Sequence, residues 1–161
     1  MSTHLHTIGR ELALQYLYMH DILSGKDVQT FEAFTLCHLP PPSTESTEFA
    51  QNLVESVLKH RDELDKEISA VATNWNINRM SAVDRNVLRL GIAELTIHPE
   101  ISHKIILNEA VDLAKRFSSE EAGSFVNGLL DKLCGRLRPG TVANPVASAV
   151  PSPIESAPTD A

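Results

Sequence analysis

Cysteines, aromatics and long apolar runs are all scarce in this chain, and each scarcity removes a class of protein. Two cysteines in 161 residues cannot build a disulfide scaffold. Cys37 and Cys134 each sit inside an apolar helical pattern, TLCHL and DKLCGRL, which predicts two reduced, packed thiols in a cytosolic protein. No apolar run approaches the roughly 18 residues that a membrane span needs. The opening MSTHLHTIGRELALQYLY has no apolar segment behind a basic start, so the expected chain is neither exported nor membrane-spanning. A Gly-rich phosphate loop, a nucleophile elbow, a Cys-x-x-Cys pair and kinase-type motifs are all missing. The sequence therefore offers no catalytic residues and implies no cofactor. Positive charge is short as well: 14 Lys and Arg stand against 21 Asp and Glu, a formal net charge of −7. Sequence-independent affinity for nucleic acid comes from cations that neutralise phosphates, so this is not a generic nucleic-acid binder. Any RNA or DNA binding has to be local or shared with a basic partner.

Helix-forming apolar periodicity is abundant. Hydrophobic residues make up 42% of the chain, enough to bury a core, and Leu, Ala and Glu are plentiful. No repeat of 20–50 residues and no alternation of period two is found, so the expected fold is all-α. A first helix is predicted from about Thr7 to Leu23, with Ile8, Leu12, Gln15, Tyr16, Met19 and Leu23 at three- and four-residue steps before Ser24-Gly25. A weaker second helix covers about Val28 to His38 and stops at Pro40, Pro41 and Pro42. The third begins at Ser43 or Thr44, carries Phe49, Leu53, Val57, Leu64, Ile68 and Val71 on one stripe with a bend near His60, and ends at Asn74-Trp75-Asn76. Ser81 caps a fourth helix that runs to Ile97. Ser102 caps a fifth from Lys104 to Phe117, and Ser118-x-x-Glu121 forms a capping box for a sixth, about Ser119 to Leu137. The last two helices are apolar on more than one face and are expected at the centre of the bundle. Residues 1–138 form the expected helical domain, and the proline-rich 139–161 is expected to be a disordered tail.

Several polar and aromatic residues stand in apolar surroundings. Glu100-Ile101-Ser102-His103 has the Glu-x-x-His spacing of carboxylate-bridged metal bundles, but those need two such pairs and two further inward glutamates. No metal site is assigned, and His98 and His103 are expected at the surface. Asn108-Glu109, Asp84-Arg85 and Arg89 suggest a charge network between helices, where structural satisfaction is the simpler reading. Trp75, the single tryptophan, is equally readable as a plug between subdomains or as a partner contact. In SFVNG, Phe125 is set beside Ser124, Asn127 and Gly128, none of which has an obvious core value. A Phe at helical spacing is ordinarily core. Together with Arg10, Gln15 and Tyr18 in the first helix it also forms equipment for stacking on unpaired bases and holding phosphates.

Four blocks, RELALQYLY, NWNINRMSAVDRNVLRLGIAEL, ILNEAVDLAKRF and SFVNGLLDKL, resemble in order and spacing the NusB family of bacterial transcription antitermination factors. The resemblance covers roughly residues 8–137. It implies two packed three-helix subdomains and a non-enzymatic role. It further implies pairing with NusE, a small-subunit ribosomal protein, and binding of boxA-type single-stranded nascent RNA. Other Nus factors and RNA polymerase join through that complex on ribosomal RNA operons. By position, Arg10, Gln15, Tyr18, Glu121 and Phe125 correspond to the RNA-facing residues, and Trp75, Asp84 and Arg85 to the partner-facing region. Asn127 and Gly128 are implied to allow close packing at the same junction.

The chain departs from the family where an arginine-rich stretch commonly precedes the first helix: it reads THLHTIG, with Arg10 as the nearest cation. Fewer phosphate contacts imply weak RNA binding by the protein alone. Glu120 and Glu121 add negative charge near the expected groove, or complement the helix dipole. One alternative is a protein-interaction module that has lost RNA recognition. Another, the related domain that precedes the catalytic domain of some RNA cytosine methyltransferases, is disfavoured because the Pro/Ala tail leaves no room for a cofactor-binding domain. If the tail is dispensable, a chain ending at Arg138 melts within error of the full-length protein; a drop of several degrees would show that residues 139–161 dock.

Overall fold

In the computed structural model, which describes residues 2–140, the chain forms seven α-helices and one short 3-10 turn. They are α1 (Ser2–Ile22), α2 (Phe31–Leu36), α3 (Thr44–Lys59), α4 (Arg61–Val71), the turn Ile77–Arg79, α5 (Ala82–Ile97), α6 (His103–Phe117) and α7 (Glu120–Leu137). There is no strand among the described residues, as the all-α expectation requires. Residues 141–161, most of the expected tail, lie outside the described residues.

The six expected helices are all present, and the differences have local causes. The third is broken rather than bent: His60 leaves helical geometry at φ −112° and ψ 21°, closing α3 on Ser56 O and opening α4 through Leu64 N. The first starts a turn and a half early because α3 holds it. Ser46 Oγ donates to Leu5 O at 2.9 Å, and the His6 ring stacks on Phe49 with centroids 4.1 Å apart. Gly9 permits that approach, since a Cβ there would lie 2.8 Å from Phe49 Cδ1 and 2.9 Å from the Ser46 carbonyl oxygen. The second helix is shorter than predicted, capped by Thr30 Oγ1, and its Phe31 and Phe34 set their edges on Tyr16. Ser118 does not open a capping box. Its N–H closes α6 on Ala114 O, and Ser119 is the N-cap, accepting from Ala122 N at 3.1 Å.

The centre of the bundle is α5, not the last two helices. Ten consecutive residues, Asn86 to Leu95, are buried. It packs on α6 and α7 on one side, on α1 and α3 on the other, and α4 lies against it. The helices expected as two three-helix subdomains thus share α5 as a common wall. The amphipathic α6 leaves Ile105 exposed and turns Ile106, Leu107, Ala110, Leu113 and Ala114 inward. Cys134 is buried as expected, whereas Cys37 is exposed just after α2, where the chain has left the helix; no disulfide joins them.

Two charge networks lock α1 to α5. Near its N-terminal end, Arg10 Nε donates to both oxygens of Glu94 at 3.0 and 2.9 Å, and Arg10 Nη2 also bonds Glu94. Glu109 accepts from Thr7 Oγ1 at 3.0 Å and lies 3.6 Å from Arg10 Nη1. Near the C-terminal end, Asp21 accepts from Arg85 Nε at 2.6 Å, Asn86 Nδ2 at 2.9 Å, and Arg61 and Arg89 at 3.2 Å. Arg89 also forks onto Asp65 at 2.7 and 3.0 Å, tying in α4. The network suggested by Asp84-Arg85, Arg89 and Glu109 therefore exists as structural satisfaction, but through Asp21 rather than Asp84. At the far end of α5, Arg138 donates to Leu95 O, His98 O and Ile101 O, tying the end of α7 to the α5–α6 turn.

Burial pushes the Asp21 carboxyl up, but hydrogen bonds from Arg85 and Asn86 and the charges of Arg85 and Arg89 outweigh it, so its pKa lies below the ordinary aspartate value. A depressed carboxylate contributes stability above the ordinary value of about 3.9 and loses it as pH falls through the lower folded-state value. Asp21→Asn should flatten the acid limb of the stability–pH curve between roughly pH 2 and 5 in urea unfolding, and an unchanged limb would show that Asp21 is not the group that titrates there. Glu94→Ala strands a buried guanidinium and should cost about 3–5 kcal/mol of stability at neutral pH.

Candidate nucleic-acid interface

The expected RNA-facing residues divide into two groups. Gln15, Tyr18 and Glu121 are exposed, with Tyr18 at 43%. Arg10 and Phe125 are not: Arg10 is 2% exposed and Phe125 6%. The assignment of Arg10 to a phosphate is corrected, because its guanidinium faces Glu94 and Glu109 and lies 5.3 Å from the Phe49 ring centroid. Phe125 is corrected too. It shares a helical face with Ala122 and Leu129, all buried, and its ring meets Trp75 edge-on at 6.2 Å. Its neighbours Ser124 and Asn127 are exposed because α7 turns them to the other side.

The partner-facing candidates also separate. Trp75 is half-buried against Phe125 and the core, which supports the reading of a plug between elements. Arg85 has its guanidinium on Asp21 and the Met80 carbonyl oxygen, so it serves the fold. Asp84 is half-buried in the first turn of α5. Its N–H is capped by Ser81 Oγ at 3.1 Å, and its Oδ1 is buried without a hydrogen-bond partner. The Asp84 carboxylate is therefore left one hydrogen bond short on its buried side.

Sequence reasoning missed the end of α6. Phe117 is 37% exposed, and the Arg116 guanidinium lies 5.2 Å from its ring centroid. Arg116 Nη1 bonds Glu11 on α1. Glu11, Gln15 and Tyr18 follow at four- and three-residue steps, so this ion pair joins the exposed face of α1 to the Arg116–Phe117 pair. Lys115 lies across α7, where a Cβ on Gly123 would come within 2.7 Å of its Cγ, and its Nζ is 3.7 Å from Glu120. The exposed face of α1, with Gln15 and Tyr18, thus meets the end of α6 at the Glu11–Arg116 ion pair, where Phe117 is exposed and Lys115 and Arg116 are each paired to a glutamate. Aromatic faces accept unpaired bases and cations accept phosphate. The one signal in the sequence was the place of Phe117 directly after Lys115-Arg116 in the last turn of α6.

Charge use inside the molecule limits this surface. Of the 14 Lys and Arg, four arginines, Arg10, Arg85, Arg89 and Arg138, turn inward onto internal acceptors, and the half-buried Arg61 adds a fifth bond on Asp21. No group of three or more His, Cys, Asp or Glu among the described residues is placed to hold a metal ion. His98 and His103 are half-buried rather than fully at the surface, and His98 Nδ1 is 2.7 Å from Glu100.

The NusB family model matches residues 7–134. The chain is 44% identical over 127 residues to the transcription antitermination protein NusB of Myxococcus xanthus, covering 78% of this chain and 91% of that protein. It is 38% identical to the NusB of Geobacter sulfurreducens, over 81% of this chain and 94% of the relative. Among solved structures it superposes on T. maritima NusB with a TM-score of 0.71 at 29% identity, covering 83% of this chain and 89% of that one. It matches equally well, at a TM-score of 0.71 and 29% identity, a chain from the crystal structure of antitermination factors NusB and NusE in complex with dsRNA, over 81% and 96% of the two chains.

Because Phe125 belongs to the core, Phe125→Ala should cost about 3–5 kcal/mol of folding stability, measured by thermal or urea unfolding. A stability unchanged within error would return the ring to the surface.

Proposed function

The chain belongs to the NusB family of transcription antitermination proteins, and from that premise we propose that it binds boxA-type single-stranded RNA together with a NusE partner through the face built by α1 and the end of α6. Family members are transcription antitermination factors, not enzymes. The observation that carries the RNA reading is the joined set of Tyr18, Arg116 and Phe117. The solved relative in complex with NusE and dsRNA supports RNA binding by the pair, and the choice of a single strand rests on the exposed rings. Tyr18 and Phe117 stack on unpaired bases, Arg116 and Lys115 meet phosphates, and Gln15 and Glu121 read polar groups. The partner docks at the start of α5, where the half-buried Asp84 carboxylate offers negative charge and the exposed edge of Trp75 adds apolar contact.

The pair then joins other Nus factors and RNA polymerase on ribosomal RNA operons, in the cytoplasm. No helix among the described residues is long and apolar enough to cross a membrane. One observation favours the second reading, a protein-interaction module with weakened RNA recognition: Arg10 is internal and Glu11 already occupies Arg116. With so few free cations, the RNA complex depends on the partner's positive charge.

Tyr18→Ala and Phe117→Ala should each cost about 1–3 kcal/mol of RNA affinity in the presence of NusE, with melting temperature unchanged. Arg116→Ala should lower the salt dependence of binding by about one unit of charge, whereas Arg10→Ala should lower stability instead. Duplex RNA should compete poorly against the single strand. Asp84→Lys should weaken the NusE complex without loss of helicity. Full RNA affinity in the Tyr18→Ala and Phe117→Ala proteins, with NusE still bound, would leave only the protein-interaction reading.

A further inference from the structure

On the side of α1 occupied by α2 and the following turn, charge and hydrophobicity are distributed differently. Between Lys26 and Lys59 the chain has no Lys or Arg, while it carries Asp27, Glu32, Glu45, Glu48 and Glu55. The same stretch holds the two most exposed leucines of the described residues, Leu36 at 77% and Leu39 at 93%. They precede a ridge, Pro40 to Pro42, that borders two clefts. One, of about 240 Å³, is lined by Thr35, Leu36, Thr44, Thr47 and Glu48. The other, of about 260 Å³, is lined by Leu5, Ile8, Glu11 and Gln15 of α1 and by His38.

The leucines are exposed for a structural reason. The buried side of α2 is occupied by Phe31 and Phe34 against Tyr16, and Tyr16 Oη donates to Gln29 O at 2.9 Å, so the segment is pinned with its other side outward. His38 adds a second tie, with Nδ1 3.0 Å from Phe34 O and Nε2 3.1 Å from Gln15 Oε1. The leucines therefore stand on an anchored segment, and proline supplies no backbone N–H along the ridge to keep hydrated. Glu32 and Glu48 enter no ion pair among the described residues.

We propose that this face is a docking surface for a partner protein, recognised through a basic segment that carries leucine- or valine-like side chains. The charge decides the class of partner. An acidic surface repels phosphate, which excludes RNA, and a second copy of this chain would bring the same glutamates against each other. A basic segment meets Glu32 and Glu48 with its cations and covers Leu36 and Leu39 with its apolar side chains. The surface is separate from Asp84 at the start of α5 and, apart from Glu11 and Gln15 in one cleft wall, from the Arg116–Phe117 face.

The test uses the full chain, isotope-labelled, titrated with a short peptide of alternating Lys and Leu and with its Glu-for-Lys counterpart, and followed by amide chemical shifts. Shifts centred on residues 32–48, with the acidic peptide inert, are expected. Leu36→Ser combined with Leu39→Ser should weaken the Lys/Leu peptide at least about ten-fold with no change in melting temperature, because it removes apolar area that only binding buries. Glu48→Lys should weaken it as well and make the residual affinity less sensitive to salt. Shifts centred on Asp84 or on Tyr18, undiminished affinity in the double-serine protein, or concentration-dependent shifts of residues 32–48 without peptide, which would mean self-association, would each overturn the proposal.

Discussion

Arg10 and Glu94 meet in the interior, where neither charge is tolerable alone. An isolated guanidinium or carboxylate in a medium of low polarity costs several kcal/mol, so each is buried only because the other is there. Their pairing fixes the rotation of α1 about its own axis. With Arg10 inward, Leu14 and Leu17, on the same side of the helix, enter the core, and Gln15 and Tyr18 must turn outward. Asp21, three turns along, repeats the constraint against Arg85, Asn86 and Arg89. Held at both ends, α1 can neither slide nor rotate on α5, and the outward face of α1 is determined by what its inward face must satisfy.

The same pairs set the character of the surface. Four arginines turned inward leave an acidic protein with few free cations, and those that flank an exposed aromatic, Lys115 and Arg116, are correspondingly important. Gly123 and the tight turn Ser118-Ser119 bring α7 under Lys115. The proposed nucleic-acid face is thus assembled from parts of α1 and α6 that hydrophobic packing alone would not align. The Glu11–Arg116 ion pair, at the rim and in water, aligns them at little net energy. On the other side of α1, the α2 segment is pinned by Tyr16 and His38 and leaves Leu36 and Leu39 outside. One helix therefore separates a face with exposed rings and two cations, each paired to a glutamate, from an acidic, apolar one without Lys or Arg, and the two suit different classes of partner.

Much of this was written in the sequence. Apolar spacing at three and four residues gave all six helical segments, because the helical period is a local property that packing only confirms. The start of α3, both ends of α5, the lack of strands and the family-like blocks were equally legible. What misled was residue type. Arg10, Arg85 and Phe125 look like binding residues because Arg and Phe are the chemistry of RNA recognition, yet the same chemistry suits a buried ion pair and a core ring. In α7 the three-residue step from Ala122 to Phe125 already pointed inward, and the polar neighbours Ser124 and Asn127 only marked the opposite side of the helix.

Sequence alone determined the elements, the acidic balance, the shortage of cations ahead of α1 and the four blocks that place the chain in its family. Tertiary structure alone decided which charges are internal, that α5 rather than α6 and α7 forms the centre, and that Phe117 rather than Phe125 shows its ring. The reason is distance along the chain. Arg10 and Glu94, Asp21 and Arg89, and Glu11 and Arg116 are joined by contacts between residues 84, 68 and 105 positions apart. No local period encodes such a pairing; it exists only once the helices have packed.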